Sequence, residues 1–429
     1  MSDTNRRTFL KLSGGVLGGL FAGSTVTAAE RTDRFVVTTE QLPSELDVVH
    51  EMPGVDLAVV EATESAVKQS GDVKKYAPDL ELTLDAPRAE PTASPDASEL
   101  EDPLSALQWD KEVQEIAAAH EQTRGEGTRV AVIDTGIDET HPDFQSSLNV
   151  DLSRNFTADG GDHNPSGTQY HGTHVGGIVA ADDNGTGVVG SAPGTDLVDC
   201  RVFSATGGAS FADILAAVVY SANVGADAAN LSLGAYPIPR ESLGSFYGKV
   251  LNKTMTYANS QGTLLVIAAG NDSADLQHDK NLISLPNEGA QALSVSATTA
   301  VDFDPFTGTA DNPGFQPSSY TNYGTNAITV GAPGGDVPQG GGVPDLVYNA
   351  IPADAAEAFG LPRPYAYLAG TSMAAPQVAG AAALVKSANP SYNANQVESA
   401  LKRAAEVPDG FDKAFFGSGF LDVLGALDG

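Results

Sequence analysis

Arg129-Val130-Ala131-Val132-Ile133-Asp134-Thr135-Gly136-Ile137-Asp138 is the stretch from which the fold can be read. Its apolar run lacks polar alternation, which marks a strand buried on both faces, and a Thr-Gly turn follows Asp134. Outward from it, residues 197–203, 229–233, 263–269 and 327–331 are strand-like, while 211–219 has the look of an apolar helix. This alternation predicts an α/β fold from about Asp102 onward, with a mostly parallel, doubly wound sheet and helices on both faces. Sites in such folds lie beyond the carboxyl ends of the strands, which is where Asp134 stands.

The chain has 429 residues, suited to one large domain plus a smaller one. Acidic residues outnumber basic ones by 55 to 23, a net charge of −32. Such a surface repels nucleic acid and anionic membranes, so neither is an expected partner. From Asp102 onward there are 37 acidic and 14 basic residues, so the charge is spread rather than gathered in a tail. Spread charge repels itself in dilute buffer and is screened in concentrated salt, which points to a salty medium, with ordinary solubility as the plainer alternative. A single cysteine, Cys200, allows no intramolecular disulfide, and its place in an apolar strand-like run predicts a buried structural thiol. No run after Arg31 is long and apolar enough to span a bilayer.

Three segments carry side chains of chemical interest. Asp134 ends the first strand. His171 opens His171-Gly172-Thr173-His174-Val175-Gly176-Gly177 at the start of an expected helix. Its His-x-x-His spacing is not that of the zinc peptidases, which need two histidines four apart with a Glu between them. Ser372 lies in Gly370-Thr371-Ser372-Met373-Ala374-Ala375-Pro376, just ahead of an Ala-rich helix running towards Ser387; a lone Ser there is most often a helix cap.

Taken together, in the chain order Asp, His, Ser, the three segments resemble the signatures of the subtilase family. The similarity covers about Asp102 to the C-terminus and includes the closing Gly417-Ser418-Gly419-Phe420-Leu421-Asp422. It implies a subtilisin-like serine endopeptidase of broad preference, akin to secreted halolysin-type members from halophiles. His171 would take the proton of Ser372 during attack and return it to the leaving amine, with Asp134 orienting the imidazole. Asn271, in Ala268-Ala269-Gly270-Asn271, matches the family's side-chain donor to the oxyanion, and the Ser372 N–H is the second donor. Ser232, Leu233 and Gly234 resemble the strand that pairs with substrate, and Gly207 and Gly208 match the opposite edge. Structural calcium is implied at Asp143 and Asn184, with carbonyls of Asp182, Thr186 and Val188 and with Asp102 as an added ligand. The remaining histidines have no expected role beyond packing or, for His141, holding the turn of Asp143. Two competing readings are weaker: a catalytically silent relative would not need all four site residues, and an acid-active carboxyl peptidase would need acidic residues at His171 and Asn271.

The front of the chain is expected to be an address followed by a small module. Arg6-Arg7 with Thr8-Phe9-Leu10-Lys11 resembles a twin-arginine export signal, with Asn5 where Ser or Thr is usual. Residues 1–29 are assigned to this signal and 30–84 to an α+β module similar to the propeptide that subtilases use as chaperone and inhibitor. Within that module, 34–37 and 55–60 are expected strands and 64–69 a short helix. Residues 85–101 form an expected linker, cut between about Ala97 and Glu101, and 102–429 the catalytic domain. A secreted monomer is expected, acting on proteins or peptides, with no C-terminal binding module.

Overall fold

The computed structural model describes residues 27–83, 103–206, 208–239, 246–279, 281–337 and 341–429. The paired arginines of the expected signal, the expected linker and cleavage site, Asp102 and Gly207 lie outside them.

The small module consists of β1 (Thr27–Thr38), β2 (Asp47–Met52), β3 (Leu57–Glu61), α1 (Glu64–Gln69) and β4 (Lys75–Thr83). All its strand pairs are antiparallel, in the order β2-β3-β1-β4. Helix α1 coincides with the expected one; the Thr63 hydroxyl caps its Ala66 N–H, with Glu64 in the first turn and Lys68 in the last. The strand expected over 55–60 starts only at Leu57, because Asp56 takes a left-handed φ of 45° and belongs to a turn. β1 runs across the expected boundary at residue 29. Alternation then sorts the module's side chains. Phe35 and Val37 meet Ala58, Val60 and Val67 in its own core, whereas Val36, Met52, Val55, Leu57, Val59 and Leu80 pack against the larger domain.

The larger domain is built on β5 (Arg129–Asp134), β6 (Arg154–Asn155), β7 (Asp196–Arg201), β8 (Gly208–Ser210), β9 (Ala228–Leu231), β10 (Ala235–Pro239), β11 (Leu264–Ala268), β12 (Leu282–Leu285), β13 (Ala292–Val301), β14 (Asn312–Pro317) and β15 (Val330–Pro333). The main sheet runs β14-β13-β11-β9-β5-β7-β6, with β15 on β13. Every pair in it is parallel except β13 with β14. Among the helices that cover it are α2 (His171–Ala180), α3 (Phe211–Asn223), α4 (Tyr247–Gln261) and α5 (Thr371–Ala388). Val130 and Val132 of β5 join the core shared with α2 and α5, while Ala131 and Ile133 join that shared with α3 and α4. Burial on both faces is why this strand shows no polar alternation.

Three expected elements shift. The strand assigned to 327–331 forms at Val330–Pro333, because the Ala327 and Ile328 N–H groups close a turn on the Gly324 carbonyl. The strand over 229–233 ends at Leu231, so Ser232, Leu233 and Gly234 leave the ladder. Ser372 lies inside its helix, as the second residue of α5. Cys200 is fully buried in β7, and burial pushes its thiol pKa up.

Module and domain are joined by strand pairing and by charge. β4 pairs antiparallel with β8, with Thr83 opposite Gly208 and Glu81 opposite Ser210. Beside this seam the buried Arg34 forms ion pairs with Asp79 and Asp213, and His50 lies 2.8 Å from Asp213. Asp79 also accepts the Ala212 N–H, at 3.0 Å, in the first turn of α3.

Candidate active site

Asp134 ends β5 fully buried. Its Oδ1 accepts the His171 Nδ1–H at 2.8 Å and the Thr135 N–H at 2.7 Å, and its Oδ2 has no hydrogen-bond partner among the described residues. His171 is the first residue of α2, a helix start without a side-chain cap of its own. Thr135 Oγ1 supplies one from outside by accepting the Gly172 N–H at 2.8 Å. The turn and the helix touch so closely that a Cβ on Gly172 would stand 2.5 Å from the Gly136 carbonyl oxygen.

Asn271 plays the capping part for α5. Its Oδ1 accepts both the N–H and the hydroxyl of Thr371, each at 2.9 Å, so the helix begins there and takes in Ser372. With Oδ1 committed, the amide nitrogen faces the other way. The space between the two donors can be located from Gly370: a Cβ built there would lie 3.5 Å from the Ser372 nitrogen and 3.7 Å from Asn271 Nδ2. Two N–H donors thus flank one small space beside Ser372.

Pro376 shapes the surroundings of Ser372. It lacks the N–H that residue 376 would give to the Ser372 carbonyl in a regular helix. The Ser232 hydroxyl takes its place at 2.7 Å, and is itself held by Asn230 Nδ2 at 2.9 Å. In return, the Ser372 hydroxyl donates to the Ser232 carbonyl at 3.1 Å; among the described residues this carbonyl, not the His171 ring, is its partner.

Residues 125–419 match the subtilase family, Peptidase S8. The chain belongs to the subtilase family. It is 31% identical over 383 residues to an alkaline protease of Alkalihalobacillus alcalophilus, covering 89% of this chain and 82% of that protein. It is 35% identical over 293 residues to subtilisin Savinase of Lederbergia lenta, covering 68% of this chain and 88% of that one. Among solved structures, a lanthipeptide protease matches with a TM-score of 0.63 at 27% identity, over 75% of this chain and 94% of that one. The epidermin leader peptide processing serine protease of Staphylococcus aureus matches in fold, with a TM-score of 0.71 at 21% identity over 92% of this chain and 97% of its own. The protein is therefore a subtilisin-like serine peptidase, a hydrolase with a subtilisin-like α/β fold.

In this subtilase, Ser232 and Leu233 are buried and Gly234 is half-buried, immediately beside Ser372. Gly208 sits across from Thr83 in the β4–β8 seam. Of the expected calcium ligands, Asp143 is fully buried; its Oδ2 accepts the Val188 N–H at 3.1 Å and its Oδ1 the Tyr365 hydroxyl at 3.2 Å. Asn184 Oδ1 turns back over the same loop to accept the Thr186 N–H at 2.9 Å. The Asp182 carboxylate is committed to the N–H groups of Ser146 and Ser147, and its carbonyl accepts that of Asn184. The Thr186 and Val188 carbonyls receive no hydrogen bond among the described residues. Oxygen donors of this kind suit calcium in general, and among the described residues no group of three or more His, Cys, Asp or Glu side chains could hold a metal.

His174 is fully buried, with Nε2 3.2 Å from the Ala366 carbonyl, and burial lowers its pKa to about 3, so it is a neutral packing residue. His141 Nδ1 accepts the Asp143 N–H at 3.2 Å and so holds that turn. Two expectations were incomplete. His50 joins the ionic seam with Asp213, and His163 pairs with Asp199 beside the Asp134 turn, at Nδ1···Oδ2 3.1 Å. Their partners lie 163 and 36 residues away, which no local pattern announces.

Proposed function

We propose that this subtilase is an exported endopeptidase of broad preference, with Ser372 as nucleophile, His171 as general base and acid, and Asp134 orienting the imidazole. The observation that carries the reading is the Asp134–His171 hydrogen bond standing with two N–H donors around Ser372. Asp134 occupies Nδ1, which leaves Nε2 to accept the serine proton once the hydroxyl turns from the Ser232 carbonyl. Attack on a peptide carbonyl puts negative charge on its oxygen, and the space bordered by the Ser372 nitrogen and Asn271 Nδ2 would hold it. His171 then protonates the leaving amine, and water, deprotonated by the same imidazole, cleaves the acyl-enzyme.

A substrate chain would lie as an added strand between Ser232, Leu233 and Gly234 on one side and Gly207 and Gly208 on the other. The β4–β8 pairing supports residues 30–84 as the protein's own inhibitor, since the module already lays a strand on Gly208. The same reading assigns 1–29 to a twin-arginine signal, 85–101 to the cleaved linker and 102–429 to the catalytic domain, a secreted monomer in a salty medium. Calcium, when bound, would tie the loop over residues 182–188 to Asp143 through Asn184 and the Thr186 and Val188 carbonyls, with Asp102 and the Asp182 carbonyl as further ligands, and would act structurally. No helix of the described residues is long and apolar enough to cross a membrane.

Intact mass against time tests this, for the purified precursor and its Ser372→Ala variant in molar salt with calcium. Loss of the segment up to about Glu101 in the wild type alone is the expected result. If both chains stay whole while folded, or both are cut alike, the self-processing reading fails.

A further inference from the structure

One strand across from Asp134 lies a second buried carboxylate. Asp199 of β7 stands in register with Val132 of β5 and is closed to solvent. Its Oδ2 accepts the Ile137 N–H at 2.8 Å and the His163 Nδ1–H at 3.1 Å, while Oδ1 has no hydrogen-bond partner among the described residues. Ile137 ends the turn that leaves Asp134, and the other contacts of that turn lead to His171. Thr135 gives its N–H to Asp134 and accepts the Gly172 N–H at its Oγ1. Gly136, at φ 105°, is wedged between two segments: a Cβ on it would stand 2.5 Å from the His163 carbonyl oxygen, and one on Gly172 would stand equally close to the Gly136 carbonyl. The turn cannot shift without moving Asp134 or His171.

We propose that Asp199, held by His163, is a positioning residue for peptide hydrolysis: it anchors the turn joining Asp134 to the His171 helix and places a second buried negative charge behind the imidazole. This rests on the reading of Asp134, His171 and Ser372 as the catalytic triad. The charged groups around the pair are Asp134 on the neighbouring strand, with His171 beyond it, and Glu139 and Asp162 at His163. Cys200 follows Asp199 in β7, and the Arg201 guanidinium is taken up by Asp159 and the Asp162 carbonyl. Burial pushes Asp199 up to about 6, with the Asp134 charge adding to the rise and His163 opposing it. Burial works against the His163 cation, but the Asp199 hydrogen bond and the surrounding carboxylates outweigh it and raise its pKa. The Asp199 charge is therefore present above about pH 6 and lost as pH falls through that value.

The test measures the rate of inactivation by a sulfonyl fluoride, which reads Ser372 reactivity directly, together with kcat and KM on a peptide, from about pH 5 to about pH 9. Matured wild type is compared with Asp199→Asn, Asp199→Ala and His163→Gln. Asn keeps an acceptor for the Ile137 N–H, so turnover should stay within about threefold while the acid limb of both profiles moves down by about half a pH unit. Ala removes the anchor, and kcat should fall at least about tenfold with KM changed less than about twofold. His163→Gln lets Asp199 protonate at higher pH and should move the limb the same way. Limbs unmoved in both Asp199→Asn and His163→Gln overturn the proposal, as does an Asp199→Ala loss accounted for by unfolded protein alone. Should the Asp199 variants fail to fold, the His163→Gln limb decides. Wild type that takes no sulfonyl label at Ser372 overturns the triad reading instead, so the two failures are distinct.

Discussion

Replacing Gly370 by Ala should leave the fold intact and remove most of the activity. The three atoms nearest the added methyl carbon are the Ser372 nitrogen at 3.5 Å, and Asn271 Nδ2 and Met373 Sδ at 3.7 Å, all ordinary contacts, and the backbone there is extended. Stability should therefore change by less than about 1 kcal/mol, with a small gain possible from the stiffer unfolded chain. The reaction is affected differently. An oxygen held by both donors sits about 2.9 Å from each nitrogen, so the methyl carbon would be only about 0.6–0.8 Å further from them and would contend for the same space. Displacement from even one donor costs about 10²–10³ in turnover, a value measured on a subtilisin, equivalent to about 2.7–4 kcal/mol. The assay is kcat on a peptide ester for protein matured in trans by wild type, beside a thermal melt of the same sample. Turnover within about threefold of wild type would refute the placement of the oxyanion between Ser372 and Asn271. A melt lowered by many degrees would refute the packing argument.

Three further perturbations follow from the same geometry. Ser232→Ala removes the donor that reaches the Ser372 carbonyl beside Pro376, and should destabilise the protein by about 1–3 kcal/mol and lower kcat; an unchanged melt would mean another donor takes over. Calcium at about a hundred times its dissociation constant should add about 2.7 kcal/mol to stability, seen as a melting shift that chelator removes and Asp143→Asn greatly reduces. His174 should make the fold acid-sensitive: the unfolded chain takes up a proton below about pH 6.5, the native one only near 3, so stability falls between those values by about 1.4 kcal/mol per pH unit. Urea titrations at several pH values should show a flatter slope for His174→Gln, and an equal slope would count against this source.

Much of the fold was legible because its signals are local. The β5 run, α1 with its Thr63 cap, and the segments around His171 and Ser372 each carry their pattern within a few residues. What was not legible depends on partners far along the chain. β2 and β4 were not anticipated: β2 begins with Asp47 and includes His50 and Glu51, and Lys75, Asp79 and Glu81 interrupt β4. Arg34 and Asp79 are charged yet buried because they pair with each other across β1 and β4, and Arg34 gains Asp213, and Asp79 the Ala212 N–H, only when module and domain meet. Asp199 and His163 likewise acquire meaning only when β7 lies beside β5. One signal was available and unused: Pro376 stands four residues after Ser372, so some outside donor had to reach the serine's carbonyl.

That repair has a mechanical consequence. Ser232 belongs to the segment on which a substrate backbone would be laid, yet its hydroxyl and carbonyl are both fastened to Ser372. That segment and Ser372 are therefore splinted as one piece, and a peptide laid on the segment, as proposed, would bear directly on the atoms that set the serine's reach. On the proposed reading, a chain seated there would loosen the grip of the Ser232 carbonyl on the hydroxyl, whereas one that misses the segment would leave the hydroxyl parked.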